Sequence, residues 1–178
     1  MKQWVGSGAE FFQLCTTYQC SSWRWECQGT YHEPNEREPL QRWREGSTDL
    51  SFMNGWIATV QRLRAEGKTF DRVRMLTEPP TEYLRWMLSL TQLNVDAGED
   101  IRWIPESRAR ELSMPTYDFY LFDDARVAIM HFNENGVSGA EVTDDPDVLA
   151  AHQVYRDLVW PIAIPHKEPE YPPQTGSP

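Results

Sequence analysis

Basic residues with the chemistry of an anion site lie around residue 70, in a chain that is acidic overall. They are Arg62, Arg64, Lys68, Arg72 and Arg74. Arg72 and Arg74 share one face of a predicted strand because side chains alternate with period two. Guanidinium groups bind carboxylates and phosphates through paired hydrogen bonds. The pattern therefore predicts a site for an anionic or polar ligand, and a solvated strand face is the alternative.

The predicted site combines the end of this strand, the helix that begins near Thr81 and the segment 99–102. A helix N-terminus adds its own hydrogen-bond donors and dipole, which favour anions. Arg74 and Arg85 are expected to hold the ligand, and Trp86 or Trp103 to stack on it. The complete set of candidate ligand-binding residues is Arg74, Tyr83, Arg85, Trp86, Glu99, Asp100, Arg102 and Trp103.

A cysteine-rich stretch near the N-terminus is the candidate for metal binding. Cys15, Cys20, Cys27 and His32 are separated by four, six and four residues. Structural zinc sites favour closer cysteine pairs. Cys15 also lies on the apolar face of a predicted helix, where a free cysteine acts as a small hydrophobic residue. We therefore predict no metal ligand and no cofactor.

Grouped carboxylates occur near an aromatic strand and at the start of the last helix, at Asp118, Asp123, Asp124, Asp144, Asp145 and Asp147. Hard cations bind such groups, but aspartate also favours turns and helix N-caps for local reasons. No His-based triad or Gly-rich phosphate loop is present in the sequence. We predict no catalytic residue. The alternative is a phosphate-ester hydrolase in which Glu99, Asp100 or Asp118 is the acid or base, which requires these carboxylates to converge in one pocket.

Charge restricts the partners of the chain. It has 178 residues, including eight Trp, and 17 Lys and Arg against 27 Asp and Glu, for a net charge of −10. Such a surface repels phosphate backbones and anionic lipids, so we expect neither direct nucleic-acid binding nor membrane binding. No secretory signal or membrane-spanning run is present in the sequence, which predicts a cytoplasmic protein.

The elements that must position these residues form a mixed fold. The sequence predicts a flexible N-terminus over 1–8, one α/β domain over 9–166 and a disordered Pro-rich tail over 167–178. A strand over 70–76, a helix from Thr81 to Gly98 and a strand over 101–104 form a βαβ unit. Strands over 117–122 and 126–132 form a hairpin around Asp123-Asp124. We predict an α+β or α/β fold with a mixed sheet of about five to six strands covered by helices.

Several of these strings resemble a known family. Trp23-Arg24-Trp25-Glu26, Arg72-Val73-Arg74, Gly98-Glu99-Asp100-Ile101-Arg102 and Leu121-Phe122-Asp123-Asp124 are similar, in this order, to an actinobacterial family of unknown function. The match runs from about residue 11 to residue 165. Members of that family often occur beside, or fused to, Xre-type helix-turn-helix regulators. The resemblance therefore implies a helix-turn-helix regulator as partner.

The order strand, helix, strand, hairpin also resembles one half of the phospholipase D-like fold, which serves as a degenerate effector domain in some regulators. Its catalytic form requires a His-x-Lys motif. Here His131-Phe132-Asn133 lacks the lysine, so no catalytic residue is transferred.

These observations favour a non-catalytic regulatory or accessory module that binds a partner protein or a small polar or anionic ligand. We expect it to be linked to transcriptional regulation. The hydrolase described above is one alternative. A second is one half of a toxin–antitoxin-like switching pair, which requires an exposed aromatic patch, for example from Trp4, Trp23 and Trp43.

Overall fold

The computed structural model describes residues 2–167 and contains one mixed sheet of eight strands in the order β1-β7-β6-β5-β2-β3-β4-β8. The strands are β1 Lys2–Gly6, β2 Ser21–Glu26, β3 Thr69–Leu76, β4 Asp100–Pro105, β5 Phe119–Phe122, β6 Arg126–Asn133, β7 Gly136–Thr143 and β8 Ile164–Pro165. The helices are α1 Ala9–Thr16, α2 Arg37–Arg44, α3 Asn54–Ala65, α4 Glu82–Ala97, α5 Glu106–Glu111 and α6 Pro146–Val159. Short 3₁₀ turns cover Pro34–Glu36 and Ser51–Met53.

The sheet confirms the predicted mixed fold class but has more strands than the five to six expected. β2, β3 and β4 are parallel neighbours, and the other pairings are antiparallel. Residues 2–6, which the sequence predicts to be flexible, form the edge strand β1 beside β7. The indole of Trp4 lies where a Cβ on Gly139 would be, so the missing side chain allows this close approach. The predicted tail lies outside the described residues, apart from Lys167.

The βαβ unit is present as β3, α4 and β4, with both strands parallel. Thr81 is the N-cap of α4, where its Oγ1 accepts a hydrogen bond from the backbone N–H of Leu84 at 3.1 Å. Gly98 ends the helix with a φ of 112°, a conformation that glycine adopts without steric cost. These two signals position β3 and β4 side by side beneath α4.

The hairpin of β5 and β6 also forms where predicted. Asp123 and Asp124 have φ values of 57° and 50°, as the two central residues of a tight type I′ turn require. The Asp123 carboxylate accepts hydrogen bonds from the backbone N–H groups of Gln19, Cys20 and Ser21. Asp123 therefore fastens the start of β2 to the hairpin.

The two faces of the sheet carry different cores. On one face, α5 and α6 cover one apolar cluster that includes Trp23, Trp25 and Val73. On the other face, α1 and α3 contribute to a second apolar cluster, and α2 and α4 to a third. Charged side chains of β2 and β3 lie on this second face, and the candidate site is built on them.

Candidate ligand-binding site

A cavity of about 570 Å³ lies over β2 and β3 on the face covered by α1, α3 and α4. Cavities that bind small organic molecules typically have volumes of roughly 300–1,000 Å³. Its floor consists of charged side chains, and its walls are largely aromatic and aliphatic. The size and lining suit a small organic molecule.

Four charged side chains form the floor because β2 and β3 are parallel and in register. Arg24 pairs with Arg72, and Glu26 pairs with Arg74. The Glu26 carboxylate forms an ion pair with Arg24 Nη1 at 2.9 Å, and it accepts hydrogen bonds from Arg72 Nη1 at 3.1 Å and from Arg74 Nε. All three guanidinium groups therefore converge on one carboxylate that is 4% exposed.

A second buried carboxylate extends the floor toward α3 and α4. Glu99 accepts from Arg72 Nη2 at 2.6 Å, from Trp56 Nε1 at 2.7 Å and from Asn94 Nδ2 at 2.7 Å. Arg74 Nη1 donates to Thr91 of α4 at 3.3 Å. The floor is therefore tied to the helices above it.

A third buried carboxylate holds the segment 27–36, which passes along the cavity. Asp118 accepts from the backbone N–H of Cys27 at 3.0 Å, from the Tyr31 hydroxyl at 2.7 Å and from Arg24 Nη2 at 3.5 Å. Burial raises the pKa of the Asp118 carboxyl above its ordinary value, although Arg24 and the hydrogen bonds oppose this shift. Asp118 thereby joins the segment to the sheet.

The electrostatic balance of the floor leaves hydrogen-bond donors unused. Burial opposes ionisation of Glu26, but the three arginines outweigh it and hold its pKa well below the ordinary range. Nε of Arg24 and Nε of Arg72 are buried without a hydrogen-bond partner. Arg74 Nη2 makes no hydrogen bond to any part of residues 2–167. The carboxylate oxygens of the floor are therefore bonded while guanidinium donors remain unused, and on α4 the Oδ1 acceptor of Asn94 is also buried without a partner.

Aromatic and apolar side chains form the walls, and polar residues form the rim. Phe11, Tyr31, Phe52, Trp56 and Tyr83 line the walls. At the rim, Glu36 accepts from the Tyr83 hydroxyl at 2.7 Å, and burial raises the pKa of its carboxyl. Glu33 accepts from the backbone N–H of Val137 at 2.9 Å. The lining thus combines guanidinium groups, apolar walls and the carboxylates of Glu33 and Glu36.

The predicted ligand-binding residues on the cavity face divide into two groups. Arg74 and Tyr83 line the cavity. Glu99 lies behind Arg72, Trp86 is fully buried against Phe52, and Trp103 is fully buried with the Arg74 guanidinium 5.8 Å from its ring. Trp86 and Trp103 therefore pack around the site and offer it no stacking face.

Three other predicted residues point elsewhere. Arg85 is exposed and donates to the carbonyl oxygen of Pro80 at 2.8 Å. Asp100 and Arg102 lie on the opposite face of the sheet, paired with each other at 2.9 Å. There Arg102 lies 3.6 Å from the Trp160 ring centre. The register explains this placement because Trp103 pairs with Arg74, which turns its neighbour Arg102 away.

The floor residues Arg24 and Glu26 were absent from the predicted site. Their signal is the alternation in Trp23-Arg24-Trp25-Glu26, which matches the alternation around Arg72 and Arg74. When two adjacent strands are in register, charged residues at paired positions lie on the same face and form a floor of this kind.

The structure separates the groups required by the alternative functions. Asp100 lies on the face opposite Glu99, and Glu99 and Asp118 are both buried in hydrogen-bond networks. Trp23 packs under α6 against Trp160, whereas Trp43 packs against the α4 cluster on the other face. Asp100 therefore lies apart from the other two carboxylates, which both bond floor arginines, and Trp23 is buried whereas Trp4 on β1 is exposed.

The cysteines are also dispersed. Cys15 is buried, and burial raises the pKa of its thiol to about 12. Cys20 is exposed, and Cys27 donates to Asp118 at 3.3 Å. Within residues 2–167, no three His, Cys, Asp or Glu side chains are grouped to hold a metal ion.

The family described as "Domain of unknown function (DUF6879)" matches residues 9–170, so the chain belongs to this family. No curated protein gives a significant match. In the part of the chain that the structure describes, no helix is long and apolar enough to cross a membrane.

Proposed function

We propose that this member of the DUF6879 family is a non-catalytic module that binds a small ligand with a polar or anionic group. One observation carries the proposal: the cavity combines apolar walls with a floor of three arginines, of which Arg74 keeps Nη2 without a hydrogen bond in residues 2–167. Binding sites of this composition bury the body of a ligand and orient it through few polar contacts.

The bonding of the buried carboxylates supports binding rather than catalysis. Glu26, Glu99 and Asp118 each use both carboxylate oxygens in bonds to protein donors. A general base must be within hydrogen-bond reach of the proton that it removes. Because the oxygens of these carboxylates are already bonded to protein donors, the carboxylates position the arginines and the segment 27–36 and do not remove a proton from a substrate.

A regulatory role is the second part of the proposal. The likeness to the actinobacterial family beside Xre-type regulators supports a cytoplasmic helix-turn-helix partner, and the net charge of −10 suits a basic partner surface. The likeness to a degenerate phospholipase D-like half-domain agrees with binding without catalysis. In a pull-down with the full chain, such a regulator should be enriched near stoichiometrically. Recovery of chaperones alone would contradict this part.

Ligand binding is tested by filling the cavity. Val137 lines it, so Val137→Trp places a large ring inside. Val154 is 55% exposed on α6, so Val154→Trp is the matched control. In a thermal-shift screen of small organic molecules, ligands should stabilise the wild type and Val154→Trp but not Val137→Trp. The proposal fails if no compound stabilises the wild type, or if Val137→Trp responds equally.

A further inference from the structure

The proposed function leaves the ligand class open, and on that basis we propose that the cavity binds an amphipathic monocarboxylate. The ligand has an aromatic or branched hydrocarbon body and one carboxylate group. Arg74 receives the carboxylate at the floor, and the aromatic walls enclose the body.

The floor selects an acceptor because it offers donors. Glu26 already pairs with Arg24 and accepts hydrogen bonds from Arg72 and Arg74, so it has little capacity for a ligand donor. Arg74 uses Nε and Nη1 and leaves Nη2 without a partner in residues 2–167. Arg72 Nε is also unpaired but fully buried, so Arg74 Nη2 is the donor that a ligand in the cavity can reach. A carboxylate is an acceptor that a charged guanidinium N–H binds strongly.

The charge of the floor limits the ligand to a single negative charge. Three guanidinium groups face the carboxylates of Glu26 and Glu99, and Arg24 also meets Asp118, whose pKa is raised by burial. At most one positive charge is therefore uncompensated. A nucleoside diphosphate or triphosphate brings several negative charges into a chain of net charge −10, which is unfavourable in a buried site.

The walls select the body of the ligand. Phe52 stacks on Trp86 with ring centres 5.5 Å apart, and Trp56 meets Phe70 edge-on at 5.2 Å. These contacts hold both rings in place before a ligand enters. Burial of apolar surface contributes roughly 25 cal/mol per Å², so a hydrocarbon body supplies much of the affinity.

Two further carboxylates disfavour a second negative charge on the ligand. Glu33 and Glu36 line the cavity, each bonded to a protein donor and neither in an ion pair among the residues described. Burial raises the pKa of the Glu36 carboxyl, so the repulsion of a dicarboxylate is assigned to Glu33. The lining therefore favours a ligand with one carboxylate.

A panel of compounds with one shared body tests the inference. It comprises 3-phenylpropionate, 3-phenylpropionamide, 3-phenylpropylamine and phenylsuccinate, with phenyl phosphate as an anion of another class. Dissociation constants are measured by calorimetry on the full chain. We expect 3-phenylpropionate to bind roughly tenfold or more tightly than its amide, since a charge-assisted hydrogen bond is lost in the amide. Phenylsuccinate, phenyl phosphate and the amine should bind more weakly than 3-phenylpropionate.

Arg74→Gln should remove the preference for the acid and leave the affinity for the amide unchanged. Arg74→Lys keeps the charge but not the fork, and it provides a second variant if Arg74→Gln does not fold by circular dichroism. Val137→Trp should abolish binding of the whole panel. An acid preference that survives in both folded Arg74 variants would overturn the assignment of Arg74.

The remaining outcomes separate this inference from the proposed function. If the amide, the amine or phenyl phosphate binds as tightly as the acid, and Val137→Trp blocks it, the monocarboxylate class is wrong and the cavity is still a binding site. The monocarboxylate class is also wrong if no compound of the panel binds while the thermal-shift screen finds other ligands. If neither the panel nor the screen gives binding, both proposals fail.

Discussion

The two faces of β2 and β3 are both largely buried but chemically opposite. Trp23, Trp25 and Val73 face α5 and α6 in a continuous apolar core. Their immediate neighbours Arg24, Glu26, Arg72 and Arg74 face the cavity. The same strands thus provide a core on one side and a charged floor on the other.

Folding stability explains why the first face is apolar, but it does not explain why the second face is charged. Burial of large apolar side chains is a main source of folding free energy. Burial of an ion network costs desolvation energy that its Coulomb attraction only roughly offsets, so well-packed apolar residues often serve equally well. The floor of arginines therefore requires another explanation, and ligand binding supplies one.

The largest expected effect comes from removing one charge at the centre of the floor. Glu26→Gln keeps the shape but leaves three arginines without their shared carboxylate, so we expect a loss of about 3–5 kcal/mol in the free energy of unfolding. Urea denaturation at pH 7 measures it. Because the pKa of Glu26 is held low, its stabilisation is present above the unfolded pKa and is lost only in strong acid. Most of the difference should therefore persist at pH 4, just below the unfolded pKa of glutamate.

A smaller loss is expected on the apolar face. Trp25 is fully buried, and its indole N–H donates to the carbonyl oxygen of Pro115 at 3.0 Å. Trp25→Phe loses this bond and part of the packing, which we estimate at about 2 kcal/mol by urea denaturation. A cost above that of Glu26→Gln would contradict the contrast between the faces.

Much of the fold could be predicted from local signals. Thr81 and Gly98 set the limits of α4, and Asp123-Asp124 sets the hairpin, because these residues act on their own backbone. β1 and β8 could not be predicted because five-residue and two-residue edge strands depend on partners far along the chain. For β1 that partner is β7, where Gly139 leaves space for Trp4.

The site could be predicted in part. Arg74 and Tyr83 follow from the strand end and the helix start that they occupy. The alternation of Trp23-Arg24-Trp25-Glu26 predicts one apolar face but does not reveal that helices also cover the charged face. Asp100 and Arg102 depend on the register of β4 against β3, which no local pattern specifies.

Asp71 is a charged residue on the apolar side of β3, so the two faces can also be compared through the pH dependence of the free energy of unfolding. Burial, followed by the neighbouring Asp100 carboxylate, raises the pKa of Asp71 to about 6. Its unfolded value is near 3.9, so between these values the folded state binds more protons and the wild type loses stability as pH rises. Asp71→Asn should be more stable at pH 7 by on the order of 1 kcal/mol, after allowance for partial exposure.

This gain should disappear as the pH falls toward 4, where Asp71 is protonated in the folded protein. Urea denaturation of both proteins from pH 4 to pH 8 measures it. Identical pH profiles would show that the Asp71 carboxyl is not perturbed.

The smallest effect is expected for an ion pair on the surface. Arg44 Nε and Nη2 donate to the Glu82 carboxylate at 2.8 and 2.9 Å, with both side chains exposed. Exposed ion pairs contribute little because water and salt screen them. The melting temperature of Arg44→Gln should equal that of the wild type within error. A loss comparable to that of Glu26→Gln would show that burial does not separate the two ion pairs.

The central claim is that the charged face of β2 and β3 is the ligand site. A titration of the ¹⁵N-labelled protein with 3-phenylpropionate, followed by two-dimensional NMR, tests it directly. The Trp56 indole N–H, which donates to Glu99, and Arg74 Nε–H should shift, while the Trp25 indole N–H on the opposite face stays in place. A shift of Trp25 with Trp56 and Arg74 unchanged, or no shift at saturating concentration, would contradict the account.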